Sequence, residues 1–112
     1  MKAKAKTKTY TFDKECAELE ILEKRLNIVK ENLKNPDDYD LDLVYKEIVK
    51  IAYAADYLSE HKYCSAVDRL EKARKLNKSA IITSCVVYAN SLLNLTKDYI
   101  TLKLFDNLLC AA

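Results

Sequence analysis

A chain of 112 residues, half of them apolar and about a third charged, is long enough to bury one core and too short for two. Glycine is absent and proline occurs once, at Pro36. That argues against tight hairpins, dinucleotide-binding turns and phosphate loops, which draw on glycine at positive φ. The net charge is only +2 and Lys2, Lys4, Lys6 and Lys8 concentrate positive charge at one end, so the remainder is slightly acidic and lacks a broad basic surface for nucleic acid.

Residues 1–10 alternate lysine with alanine or threonine and are expected to form a flexible basic arm ahead of a single helical domain at residues 11–112. From Phe12 onward, Cys16, Leu19, Leu22, Leu26, Val29 and Leu33 recur at three- and four-residue spacing, the pattern of an amphipathic helix. Asp13 is placed as its N-cap, Phe12 and Ala17 as a hydrophobic staple, and Asn35-Pro36 as its end, because proline disfavours helical geometry in the residue before it. Asp37, Asp38 and Asp40 favour the positive end of a second helix, expected from Leu41 to Ser59 with Val44, Ile48, Ile51, Ala55 and Leu58 inward. The phase breaks at Glu60-His61-Lys62, and a third helix carries Tyr63, Ala66, Val67, Leu70, Ala73 and Leu76. After Asn77-Lys78, with Ser79 as N-cap, a fourth helix over 80–94 is apolar on nearly every face. Thr96 then caps a fifth, with Tyr99, Ile100, Leu102, Leu104, Phe105, Leu108 and Leu109. The predicted architecture is all-α: a compact antiparallel bundle of about five helices.

Residues 47–80 resemble a single tetratricopeptide-like helical hairpin. The small residue, aromatic, alanine, large apolar residue and second alanine of that repeat fall on Ala54, Tyr57, Ala66, Leu70 and Ala73. The microtubule-interacting-and-transport family has a similar cadence of small residues and tyrosines. The repeat's tryptophan, leucine and terminal proline positions hold Lys50, Tyr53 and Lys78, and no clear second copy follows. The resemblance implies close-packed antiparallel helices with aromatics filling the gap, in a scaffold that binds peptides or helices.

No catalytic, cofactor or metal site is expected. His61 and Cys64 are three apart, but a structural zinc site wants four ligands, commonly in local pairs, and only folding would add Cys16, Cys85 or Cys110. Any Cys–His nucleophile must use His61, the single histidine, and Glu60-His61 lacks the Glu-x-x-His spacing of carboxylate metal sites. The dispersed cysteines, and the lack of an apolar stretch after the N-terminal lysines, fit a cytoplasmic protein with reduced thiols. No membrane partner is expected, because the run over 80–95 is interrupted by Ser84, Asn90, Ser91 and Asn94 and is too short to span.

These exclusions leave a non-enzymatic protein–protein interaction module: a small helical adaptor, inhibitor or accessory protein. Abundant lysine and asparagine with no glutamine would suit an AT-rich phage, viral or low-GC genome. Among eight tyrosines, Tyr53 and Tyr57 lie four apart on one helical face and are the candidate interface pair. From Ser79 onward only Lys97, Asp98, Lys103 and Asp106 are charged, so a homodimer covering Leu102 and Leu109 is expected. The alternative is a nucleic-acid-associated protein whose Lys2, Lys4, Lys6 and Lys8 contact phosphates.

Overall fold

The computed structural model describes residues 13–35 and 40–111. Among them the chain forms four α-helices and no strand: α1 (Asp13–Asn32), α2 (Leu41–Leu58), α3 (Cys64–Leu76) and α4 (Ile82–Ala111), the last entered through one 3-10 turn at Ser79–Ile81.

In α1 the predicted stripe is real but narrower. Leu19, Leu22, Leu26 and Val29 are buried, whereas Leu33 is half-buried and Cys16 is exposed. Asp13 is itself helical rather than the cap, and it lies with Glu15 in the first described turn, where an acid meets the positive end of the helix dipole. The helix ends at Asn32, three residues before the expected Asn35 stop. Phe12 and residues 36–39, with the expected staple and the proline itself, lie outside the described residues.

Asp40 caps α2 as its spacing predicts, its carboxylate accepting from the backbone N–H of Asp42 at 2.9 Å and of Leu43 at 3.3 Å. Val44, Ile48, Ile51, Ala55 and Leu58 are all buried, joined by Tyr45, Val49 and Ala52. Full burial of each large aliphatic side chain contributes roughly 1.5–3 kcal/mol. Tyr45 satisfies its polar tip by donating to the Lys78 carbonyl at 2.6 Å, which ties α2 to the turn before α4.

Helix α3 packs mainly on α2 and touches α4 little. It buries Val67 and Leu70 and half-buries Ala66 and Ala73, but Leu76, expected inward, is exposed because the helix ends beside the turn. Asn77 closes α3 in the left-handed region at φ 48°, its N–H donating to the carbonyls of Ala73 and Arg74. Ser79 does not cap a helix; it opens the 3-10 turn, with no side-chain capping bond there.

The largest departure is α4. The two helices expected over 80–94 and from Thr96 are one helix of 30 residues. Thr96 caps nothing: it is buried in mid-helix, and its hydroxyl donates to the Leu92 carbonyl at 2.8 Å. With neither glycine nor proline in this stretch, Asn94 and Thr96 weaken the helix without ending it. The run over 80–95 was expected to be too short to span a membrane, but it is part of a continuous stretch, Ser79–Cys110, that by length and composition alone would suffice, at a mean hydropathy of 1.3 in its most apolar window. Ile82, Cys85, Val86, Ala89, Leu92, Leu93 and Ile100 of this helix belong to the core, where α1 and α2 pack against it.

Pairing distances fix the directions. Lys30 near the end of α1 donates to Asn90 at 3.3 Å, while Lys14 near its start shares a cleft with Lys103, so α1 runs antiparallel to α4. The Arg25 Nε–Glu47 bond of 2.6 Å likewise joins α1 to α2. Since α1 begins level with Lys103, the last residues of α4 project past it. The Cα radius of gyration, 16.9 Å, exceeds the roughly 13 Å of a compact domain this size, and the longest dimension is 57 Å.

Candidate interaction surface

The core residues of α4 occupy one face. At about 100° per residue, a second set lies on the opposite face: Ser84, Tyr88, Ser91, Leu95, Asp98, Leu102, Phe105 and Leu109, alternating steps of four and three. Each is exposed except Tyr88, which is half-buried. Its first half holds Ser84, Tyr88 and Ser91, and its second Leu95, Asp98, Leu102, Phe105 and Leu109. Leu102 and Leu109, the predicted pair, are 62% and 60% exposed on this stripe. Leu108 is also bare but on another face, and Leu104 is half-buried against the core.

Beside the first half, α3, the 3-10 turn and α4 line a shallow apolar groove of about 280 Å³ with Arg69, Leu70, Ala73, Ile81, Ser84, Cys85 and Tyr88. Arg69 is its single charged lining residue. Burial pushes the Cys85 thiol above its ordinary range, against a weaker opposing hydrogen bond with Tyr45.

Tyr53 and Tyr57 are 52% and 72% exposed on α2. Tyr57 therefore turns outward instead of filling the α2–α3 gap, as the repeat resemblance would have it. It lines a second cleft, about 400 Å³, together with Lys14, Glu18, Glu60, His61, Tyr99 and Lys103. Tyr99 and Lys103 sit about 100° around α4 from the Leu102–Leu109 stripe, so the two predicted pairs do not share one face.

The α2–α3 corner that shapes this cleft turns without glycine. Glu60 and His61 are both left-handed, at φ 55° and 66°, a conformation that costs roughly 1–2 kcal/mol per residue without local compensation. Side chains supply it. His61 Nδ1 hydrogen-bonds Asp56 Oδ2 at 2.8 Å, and the His61 N–H reaches the Asp56 carbonyl at 2.8 Å. Glu60 accepts from the Tyr99 hydroxyl at 2.5 Å and from Lys103. The bond from Lys103, then that from Tyr99, holds the Glu60 carboxyl below its ordinary range, while Glu60 raises both partners. Lys62 and Lys103 also lie over the Tyr99 ring, at 5.5 and 5.7 Å from its centre.

The His61 ring is largely solvent-exposed and is anchored to a buried aspartate. Asp56 itself escaped sequence reasoning, although its Oδ1 is buried with no hydrogen-bond partner. The only signal was a carboxylate interrupting the inward face of α2. Cys64 is exposed, and among the described residues no group of three or more His, Cys, Asp or Glu is placed to hold a metal ion. Lys2, Lys4, Lys6 and Lys8 lie outside the described residues.

No protein-family model matches the chain, and neither a curated protein nor a solved structure matches it.

Proposed function

We propose that this chain is a non-enzymatic protein–protein interaction module that self-associates through the C-terminal part of α4. The observation that carries this reading is the exposed row Leu95, Leu102, Phe105 and Leu109, whose first two members stand opposite the buried face of α4 and whose last two lie beyond its last buried residue, Ile100. At roughly 100 Å² bare per side chain, the row and its flanks match the largest apolar patches of ordinary monomers, which are often functional. A closed two-fold dimer is the simplest cover, because it uses the same patch on both partners. Tyr53 and Tyr57 offer a separate aromatic face on α2 for a further protein, consistent with the peptide-binding role that the hairpin resemblance over 47–80 implies. The test is the mass in solution of the chain and of a Leu102→Lys/Leu109→Lys variant. Self-association that survives both lysines would place the interface elsewhere.

A further inference from the structure

We draw no further inference here: the strongest candidate, the shallow apolar groove between α3 and the first half of α4 with Arg69 in its lining, is an unpartnered surface, and nothing in the structure shows what covers it.

Discussion

Two leucines ten residues apart on α4 should respond to the same substitution very unequally. Leu92 is 2% exposed between the helices and Leu102 is 62% exposed on the far face. Leu92→Ala removes buried methyl groups and leaves a cavity that neighbours fill only in part, at a cost of about 2–5 kcal/mol. Taking about 3 kcal/mol, and about 4 °C per kcal/mol for a chain of this length, the midpoint should fall by roughly 12 °C. Leu102→Ala exchanges one strong helix former for another at a water-facing site, so the intrinsic change should stay within about 0.5 kcal/mol. Thermal and urea unfolding followed by circular dichroism measure both, at dilutions where a dimer adds nothing by mass action. A loss at Leu102 as large as at Leu92 under those conditions would show Leu102 inside the monomer core and break the two-faced description of α4.

Three further outcomes follow from the side-chain environments. Cys16, Cys64 and Cys110 are exposed while Cys85 is buried with a raised thiol pKa, so a thiol reagent should modify the first three quickly and Cys85 only on unfolding; rapid labelling of all four would contradict the core. Glu60 has a lowered pKa when folded, so its contribution is present above the unfolded carboxylate value and lost as pH falls through the folded one. Glu60→Gln should therefore lower the melting temperature at neutral pH and match the parent in acid, and a difference unchanged in acid would remove the corner's tie to α4. On the alkaline side the raised Tyr99 and Lys103 lose their contributions as pH climbs through their folded values, so the difference should shrink there too. Deleting residues 1–9 should leave self-association intact; low-salt nucleic-acid binding that vanishes with the deletion would instead assign function to the lysine arm.

How much of this was legible in the sequence depended on whether the signal was local. Leu19, Leu22, Leu26 and Val29 announced α1 by spacing, and Asp40 announced the start of α2, because helical periodicity and capping involve residues within one turn of each other. The corner after Leu58 was visible as a phase break, but not its left-handed pair, which stands on contacts from Asp56, Tyr99 and Lys103. Asn94 and Thr96 read as a boundary by propensity, and tertiary burial of Thr96 overrode it. Leu76 read as core because its phase is right, yet α3 ends where there is no neighbour to cover it. The outer stripe of α4 was masked by its surroundings: on a helix apolar all round, it stands out only once the inner one is known.

Sedimentation equilibrium of the full chain at micromolar concentration bears most directly on the proposed self-association. It should give twice the 12.9 kDa chain mass, and the Leu102→Lys/Leu109→Lys variant should give the single-chain mass with its helical spectrum retained. A parent chain that sediments at 12.9 kDa, with no partner bound, would contradict the account.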